Sequence, residues 1–552
     1  VPALVLWGPR APVFQGRYLR DLLERLPHAD VHRFEGAGHL LAEDVDIATP
    51  ITRWLTTTFP APAPATTSAG THATTVADSS IPAVSTAAPP VAPQSADSSI
   101  PAEAPRALTA VLDQHAHSSA PAVVALSADG IDTVTWAELA TRVRHLALGL
   151  HDAGVRPGQR VSLLITPGVD LTTALFACLR LGAVAVIADQ GLGLGGMSRA
   201  IRGAGPDVII GIERGLLGAR LLSWPGRRVS ATDLAPARAR ALGVDTSVPA
   251  LIARGADLDR AGTVLPPVPG PDEDAAILFT SGSTGPAKGV VYSHRGLAGM
   301  RDTLAATYGL GPGSSFVAGF APFALLGTAL GSLAVVPDMD VTAPATLTAA
   351  ALAEAVAAGG ASAVFTSPAA LRNVLATTGD LTEDHRRAMA GVKLFLSAGA
   401  PIPPELLARV TEVLPAARAH TPYGMTEVLP VTDIELSEIE QAVADVGTVP
   451  GAGGGTCVGR PVPGTEIQII PLDDDGAATG EPTKSPGVTG EILVAAPHLK
   501  RTYDRLWATQ SASADHPGRH RTGDVGHLDA AGRLWVEGRL SHIVRAPGGI
   551  IT

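Results

Sequence analysis

The residues best suited to chemistry lie in one loop, between residues 280 and 289. This loop combines hydroxyl groups, glycines and one lysine: Thr280, Ser281, Gly282, Ser283, Thr284, Gly285 and Lys288. Hydroxyl groups and uncovered backbone N–H groups bind phosphate oxygens, and a mobile ammonium group adds positive charge. The spacing differs from a Walker A loop, because Ala287 precedes the lysine and Gly289 follows it. The loop therefore predicts a polyphosphate site, although a Gly/Ser/Thr-rich surface hairpin would have the same composition.

A second group of candidates lies in residues 420–427, which read HTPYGMTE. Tyr423 can stack on a purine ring, and Gly424 allows the backbone to approach a ligand closely. Thr426 can donate a hydrogen bond to phosphate, and the carboxylate of Glu427 is a hard oxygen ligand of the kind that Mg²⁺ prefers. Taken alone, so short a segment could also occur by chance.

Two other residues, His294 and Asp524, and the apolar segment 320–327 each have a structural interpretation that competes with a functional one. His294, just after the loop, could orient a carboxylate or take a hydroxyl proton, or it could be a hydrogen-bonded structural residue at a helix start. Asp524 follows Gly523 and could be a simple turn residue. The apolar segment 320–327 could enter a core helix or form a wall of an acyl pocket.

The elements around these residues predict an α/β fold with doubly wound sheets. Residues 275–279 and 290–292 flank the loop as apolar, β-rich runs, and residues 394–397 form another apolar run. Strands at 161–165 and 184–188 enclose a helix at 171–181. Strand–helix alternation of this kind is typical of a mostly parallel sheet covered by helices. Thr135 and Glu138 have the spacing of a capping box at the start of another helix.

The chain divides into four predicted regions. Residues 1–55 have a βαβα pattern with a continuously apolar first strand, which indicates a parallel sheet. Residues 56–106 are rich in Ala, Pro, Ser and Thr and predict a disordered linker. Residues 107–538 form the main globular domain, and residues 539–552 follow it as a short tail. Because two strands cannot complete a sheet, we predict that the first region is only marginally folded in isolation.

Bulk composition excludes some functions. The 41 basic and 52 acidic residues give a net charge of -11, and no basic cluster stands out, which argues against nucleic acid as a partner. The most apolar window, residues 171–188, contains Arg180 and Gly182 and reads as a buried helix and strand, not a membrane span. Two cysteines without metal-ligand spacing indicate reduced thiols in a cytoplasmic protein.

The loop at 277–294, the segment 420–427 and the run Arg521-Thr-Gly-Asp524 resemble, in sequence and order, the signatures of the adenylate-forming superfamily. Its members, among them acyl-CoA synthetases and luciferases, activate a carboxylate with ATP. The resemblance implies catalytic roles for Lys288, His294, Thr426 and Glu427, with Glu427 binding Mg²⁺. It also implies that the nucleotide contacts the phosphate loop and the following residues: Gly399, Ala400, Pro401, Tyr423, Gly424, Met425, Asp524 and Arg539. Arg539 matches the hinge before a small C-terminal lid, so residues 539–552 would be the start of a truncated lid.

Residues 188–193 resemble one branch of this superfamily, the olefin-pathway β-lactone synthetases. That branch implies ATP-dependent closure of long-chain 2-alkyl-3-hydroxy acids to lactones, and assembly with other enzymes of olefin formation. A fatty acyl-CoA synthetase and a nucleotide-binding module without turnover are the alternatives. Residues 1–55 resemble the last quarter of a haloalkane-dehalogenase-like α/β-hydrolase. There His39 matches the catalytic histidine, but Ala11 stands at the position of the acid, so this fragment should be inert.

Overall fold

The computed structural model describes most of the chain outside the linker. The described residues are 2–9, 16–37, 41–59, 106–188, 190–279, 287–319, 326–340, 342–546 and 549–552. Three sets of predictions fall outside them: the phosphate-loop residues 280–286, the segment 320–325, and Ala11 and His39 of the first region. Linker residues 60–105 are also outside.

The first region forms a small unit of two parallel strands with helices around them. Its elements are β1 (Leu4–Trp7), α1 (Gly16–Arg25), β2 (Asp30–Arg33), α2 (Leu41–Asp44) and α3 (Ala48–Thr58). We call these five elements the N-terminal unit. The parallel pairing of β1 with β2 confirms the prediction from the apolar first strand.

An eight-stranded sheet carries the hairpin that flanks the phosphate loop. Its strands are β5 (Arg160–Leu164), β6 (Val184–Ala188), β7 (Val208–Gly211), β8 (Arg227–Ser230), β9 (Val244–Ser247), β10 (Asp274–Phe279), β11 (Gly289–Ser293) and β22 (Thr502–Tyr503), numbered in chain order. Their spatial order is β22-β11-β10-β6-β5-β7-β8-β9. The six strands from β10 to β9 run parallel, whereas β11 is antiparallel to β10 and β22 is antiparallel to β11.

A second sheet of seven strands is also mostly parallel. It contains β3 (Pro121–Ser127), β4 (Gly130–Thr135), β12 (Ser315–Gly319), β13 (Leu333–Val336), β14 (Ala363–Thr366), β15 (Leu394–Ser397) and β16 (Arg418–His420), in the order β16-β15-β14-β12-β13-β3-β4. Only the edge pair of β3 with β4 is antiparallel among these strands. Together with the preceding sheet, it accounts for the predicted doubly wound architecture.

A third sheet was not predicted, because its strands are antiparallel and several of them pair across long separations in sequence. Its members are β17 (Tyr423–Met425), β18 (Val428–Asp433), β19 (Thr456–Pro461), β20 (Glu466–Pro471), β21 (Gly490–Ala495), β23 (His520–Leu528) and β24 (Leu534–Arg539). The spatial order is β17-β18-β19-β24-β23-β21-β20. A two-stranded hairpin of β25 (Val544–Ala546) and β26 (Gly549–Ile551) follows.

The remaining helices cover these sheets. They are α4 (Ala110–Gln114), α5 (Trp136–Asp152), α6 (Val169–Leu181), α7 (Gly193–Ala204), α8 (Glu213–Leu221), α9 (Pro236–Leu242), α10 (Val248–Arg260), α11 (His294–Tyr308), α12 (Ala349–Gly359), α13 (Pro368–Ala376), α14 (Glu383–Met389), α15 (Pro404–Ala408), α16 (Leu436–Ala444) and α17 (Trp507–Ser513). The predicted capping box of α5 is confirmed. The Thr135 hydroxyl accepts from the Glu138 amide at 3.2 Å, and the Glu138 carboxylate accepts from the Thr135 amide at 2.9 Å.

Two glycines allow α5 and α10 to cross in close contact. A Cβ atom on Gly255 would lie 1.8 Å from the carbonyl oxygen of His145, and one on Gly149 would lie 2.1 Å from that of Leu251. Both distances are far below van der Waals contact, so neither position accepts a side chain without moving a helix.

Within the described ranges, no helix is both long enough and apolar enough to cross a bilayer. Cys178 and Cys457 are both free thiols, and Cys178 is buried.

Candidate functional site

Lys288 lies at the end of the β10–β11 hairpin where residues 280–288 connect the two strands. Phe279, the last residue of β10, pairs with Gly289, the first residue of β11. A Cβ atom on Gly289 would lie 2.7 Å from the Phe279 ring, so the narrow end of the hairpin depends on this glycine. Lys288 precedes it and is exposed. Residues 280–286 lie outside the described part of the chain, and their phosphate-binding role stays a prediction.

Tyr503 lies at the centre of the charged groups that surround Lys288. The Nζ atoms of Lys288 and Lys500 lie 5.3 and 4.2 Å from the centroid of its ring. Its hydroxyl donates a hydrogen bond to Oε1 of Glu427 at 2.5 Å. We call Lys288, Glu427, Lys500 and Tyr503 the Tyr503 cluster. Two ammonium groups near one aromatic ring and a carboxylate form an environment suited to a multiply charged anion with a bound cation.

Burial tunes the protonation of this cluster. It lowers the pKa of Lys500 to about 8; the Glu427 charge opposes this shift, and the charge of Lys288 adds to it. The pKa of Tyr503 is raised by burial and by the neighbouring Glu427 carboxylate, so its phenol remains a hydrogen-bond donor. The Lys500 amide also donates to the Glu427 carbonyl at 2.8 Å, and its ammonium donates to Oε1 of Gln510 at 2.7 Å.

His520 is a neutral ring beside the two lysines. Burial, together with the positive charges of Lys500 and Lys288, lowers its pKa to about 3. Its ring lies 6.3 Å from the Tyr503 ring, and its Nδ1 atom has no hydrogen-bond partner among the residues that the structure describes. The imidazole is therefore uncharged at neutral pH.

A second group, which we call the Asp524 cluster, consists of Tyr423, Asp524 and Arg539. The Tyr423 hydroxyl donates to Oδ2 of Asp524 at 2.5 Å, and Nε of Arg539 lies 2.8 Å from Oδ1. Burial raises the pKa of Asp524, whereas its bonds with Tyr423 and Arg539 oppose that shift. Asp524 lies within β23, opposite Arg539 of β24, and not in the turn that its position after Gly523 suggested. A carboxylate has about four acceptor sites, so further donors such as ribose hydroxyls can still bind.

The two clusters are adjacent, because Tyr423, which bonds Asp524, lies only four residues before Glu427 in the chain. The negative charge of Glu427 contributes to the raised pKa of Asp524. The hydroxyl of Tyr292, on β11, donates to the Thr426 carbonyl at 2.7 Å and so ties the hairpin to the residues after β17. The structure thus brings together six of the sequence-predicted residues: Lys288, Tyr423, Thr426, Glu427, Asp524 and Arg539.

The small residues of the predicted site differ in their exposure and in the space around them. Gly399, Ala400 and Pro401 are exposed just after β15, and a Cβ atom on Gly399 would meet nothing within 4 Å. On Gly424, however, it would lie 2.9 Å from both the Val428 carbonyl oxygen and the Leu429 side chain. The turn between β17 and β18 therefore already accounts for this glycine, without a ligand. Met425 is partly buried against the core of the third sheet.

The structure does not bring His294 to the Tyr503 cluster. Its amide donates to the carbonyl of Glu273, before the start of β10, so it lies at the opposite end of the hairpin from Lys288. The side chain is buried in the first turn of α11, and burial lowers its pKa against the opposing charges of Glu273 and Asp274. The position at a helix start fits the structural alternative, but Nε2 of the ring has no hydrogen-bond partner among the described residues, so the catalytic role of His294 stays a prediction.

Several residues of the site could not be found from sequence. Tyr503, Lys500, Gln510 and His520 belong to no motif that we identified. The available signal is weak: residues 500–504 read KRTYD, which places two cations beside one of only five tyrosines in the chain.

Comparison with known proteins agrees with this geometry. The profile of the family described as AMP-binding enzyme matches residues 112–504. The olefin beta-lactone synthetase of Xanthomonas campestris pv. campestris is 38% identical over 430 residues, which cover 76% of this chain and 74% of that protein. The enzyme of the same name from Stenotrophomonas maltophilia is 38% identical over 428 residues, with the same coverage.

A solved structure shares the fold at lower identity. It is the O-succinylbenzoate coenzyme A synthetase of Bacillus subtilis in complex with AMP, with a TM-score of 0.60, 20% identity and coverage of 80% of each chain. At this identity the likeness concerns the fold alone. The family match spans most of the chain and includes both the hairpin with Lys288 and the segment with Glu427. This chain belongs to the AMP-binding enzyme family and is an adenylate-forming ligase.

Proposed function

We propose that this ligase is an ATP-dependent β-lactone synthetase that acts on long-chain 2-alkyl-3-hydroxy acids. The observation that carries the choice of product is the 38% identity, over about three quarters of the chain, to two proteins named olefin beta-lactone synthetase. The composition of the site supports the first step, because Lys288, Lys500 and the carboxylate of Glu427 converge on Tyr503.

In the first step, a carboxylate oxygen of the acid attacks the α-phosphorus of ATP. The new O–P bond forms as the bond to pyrophosphate breaks, which gives an acyl-AMP. Lys288 and the hydroxyl of Thr426 would offset the charge that develops on the phosphates, together with the loop residues Thr280 to Gly285. Tyr423, Asp524 and Arg539 would hold the adenosine, with Asp524 accepting from the ribose, and residues 399–401 would lie along the adenine.

Mg²⁺ fits this site through Glu427. Oε1 of this carboxylate accepts from Tyr503, whereas Oε2 accepts no hydrogen bond from the residues that the structure describes. No group of three or more potential ligand side chains occurs in that part of the chain, so one carboxylate and the phosphate oxygens would hold the ion. That is the usual manner of Mg²⁺ binding with nucleotides. A bound Mg²⁺ would neutralise charge on the polyphosphate.

In the second step, the β-hydroxyl of the same substrate attacks the acyl-AMP carbonyl. The new C–O bond closes a four-membered lactone, the bond to AMP breaks, and the hydroxyl proton is lost to solvent. Because the nucleophile is tethered to the electrophile, no second substrate has to bind.

The test is a product assay of the full chain with ATP, Mg²⁺ and a 2-alkyl-3-hydroxy acid, with and without coenzyme A. We expect AMP, pyrophosphate and a lactone in both reactions. A strict requirement for coenzyme A and formation of a thioester would identify an acyl-CoA synthetase instead. Nucleotide binding without pyrophosphate release would identify a binding module without turnover.

We further propose that residues 1–55 are a C-terminal fragment of an α/β-hydrolase and that residues 56–106 link it to the ligase domain at 107–538. Residues 539–552 would be the hinge and the beginning of the lid.

The two free thiols support a cytoplasmic location, and the lactone product suggests assembly with other enzymes of olefin formation. Co-purification of the full chain with such enzymes would test that assembly.

A further inference from the structure

The segment after Lys500 lies between the β10–β11 hairpin and the N-terminal unit. Thr502 and Tyr503 pair with β11, and the Asp504 amide donates to the Gly289 carbonyl at 2.7 Å. On the other side, Leu506 forms an antiparallel bridge with His32 of β2. The next bond along this edge joins the Arg33 amide to the Arg505 carbonyl at 3.0 Å. One short segment therefore hydrogen-bonds both the ligase site and a region more than 400 residues away in sequence.

Buried charges hold this segment in place. Asp504 accepts from both terminal nitrogens of Arg160, at 2.7 and 3.0 Å. Burial alone would raise the pKa of Asp504, but the positive charges of Arg160, Arg505 and Arg33 hold it below its ordinary value. The guanidinium group of Arg505 donates to the Gly203 carbonyl at 2.8 Å. Because Arg33 belongs to β2, the N-terminal unit contributes directly to this charge balance.

His32 provides a cap for α17. The Ala508 amide, in the first turn of that helix, donates to Nδ1 of His32 at 3.2 Å. Leu506, at the N-cap position, has no side-chain acceptor and makes no capping bond. Burial lowers the pKa of His32, so the ring is neutral and its Nδ1 atom can accept. The amides of a first helical turn have no partner within the helix, and the N-terminal unit supplies an acceptor for one of them, that of Ala508.

Helix α17 in turn holds the Tyr503 cluster through Gln510. Oε1 of this residue accepts from the Lys500 ammonium at 2.7 Å and from the Tyr503 amide at 3.2 Å. Tyr503 then donates to Glu427. A shift of α17 would therefore move Gln510, the second ammonium group of the site and the tyrosine that orients Glu427.

We propose that the N-terminal unit holds the ligase site in its active arrangement. His32 of this unit and Gln510 of α17 act as positioning residues for Lys500, Tyr503 and Glu427. This inference rests on the proposed function, since Glu427 and the lysines matter here as the groups that act on ATP. It gives residues 1–55 a role that does not require them to retain hydrolase chemistry.

The test compares pyrophosphate release by the full chain with substitutions at the two positioning residues. His32→Ala and Gln510→Ala should each lower kcat about 10- to 100-fold, because a distant change that misplaces a catalytic group by about 1 Å can cost about 100-fold. His32→Asn and Gln510→Glu keep an oxygen that can accept the same hydrogen bonds, so both should restore most of kcat. Arg25→Ala, which removes an exposed ion pair with Asp21 on the same unit, is the matched control and should leave kcat unchanged.

Amide hydrogen exchange in residues 505–513 supplies a readout that does not depend on turnover. Exchange should be faster in His32→Ala than in the unchanged chain, and His32→Asn should restore protection. Unchanged exchange and kcat in both alanine variants would overturn the inference, as would equal losses in the alanine and acceptor-retaining variants. If the unchanged chain releases no pyrophosphate with any acid, the proposed function fails. The exchange data alone then test whether His32 holds α17 in place.

Discussion

The hydroxyl of Tyr503 donates to Oε1 of Glu427 at 2.5 Å, which joins a two-residue strand of the first large sheet to the segment after β17 of the third sheet. These residues are 76 positions apart in sequence. Glu427 is the carboxylate that we propose as the Mg²⁺ ligand, so Tyr503 fixes the orientation of the group on which the metal site depends. Metal-binding carboxylates are commonly held by such a second hydrogen bond.

The first prediction removes this bond. Tyr503→Phe retains the ring that faces the two lysines but cannot donate to Glu427. A hydrogen bond to a charged group contributes about 1.5–3 kcal/mol, so pyrophosphate release should slow about 10- to 100-fold. The measurement is steady-state kinetics over a range of Mg²⁺ concentrations, in which the variant should need more Mg²⁺ for half-maximal rate. Tyr18→Phe, on the exposed face of α1, is the control, and an unchanged Mg²⁺ dependence in Tyr503→Phe would argue against this role.

The second prediction concerns the crossing of α5 and α10. Gly255→Ala places a methyl group where only 1.8 Å separates it from the His145 carbonyl oxygen. The helices must move apart, and overpacking of this kind costs about 1–3 kcal/mol or more. We expect a lower urea midpoint in a denaturation experiment that reports on the ligase domain.

Gly195→Ala is the matched control for that substitution. Gly195 is an exposed residue inside α7, and its nearest atom is a flexible arginine nitrogen at 3.7 Å from the added Cβ. Alanine at an accommodating helical position stabilises by about 0.4–1 kcal/mol, so this variant should unfold at the same or higher urea concentration. Equal midpoints in the two alanine variants would show that the helix crossing is not tight.

Helices and strands could be predicted where a sequence pattern of a few neighbouring residues specifies them. The capping box of α5, the strands that flank the phosphate loop and the parallel strands β5 and β6 each have a pattern within a few residues, and the structure confirms them. Strand β22 has only two residues, and its pairing with β11 joins positions about 200 residues apart. Such a pairing leaves no periodicity in the sequence, so Tyr503 and Lys500 could not be placed at the site in advance.

The same reason explains two differences between sequence and structure. A turn was one interpretation of Asp524, but the long strand β23 continues through Gly523 because it pairs with both β21 and β24. His294 follows the phosphate loop closely in sequence, yet β11 runs away from the loop and leaves it at the far end of the hairpin. Proximity along the chain is a poor guide once a strand of five residues intervenes.

The third prediction is a pH dependence of stability at His527. Its hydrogen bond with Glu537, at 2.6 Å, raises the pKa of this histidine, and burial opposes that shift. Its other ring nitrogen lies 2.8 Å from the Gly451 carbonyl oxygen, and the ring stacks on Trp535. Thr489 and Thr552 also donate to the Glu537 carboxylate.

The sign follows from the raised pKa. Protonated His527 stabilises the folded state fully below its ordinary pKa of 6.5, and this contribution is lost as pH rises through the higher pKa of the folded state. The urea midpoint of the unchanged chain should therefore fall more between pH 6 and pH 8 than that of His527→Gln. Parallel pH profiles for the two proteins would contradict this assignment.

The central claim is that Lys288 and Asp524 contact different parts of one nucleotide, and calorimetric titration of ATP and AMP tests it most directly. Lys288→Ala should weaken ATP binding much more than AMP binding, because we propose that the lysine acts on the outer phosphates. Asp524→Ala should weaken both by a similar factor, because the ribose is common to the two ligands. If either variant binds both nucleotides as the unchanged chain does, the two residues do not share a nucleotide site.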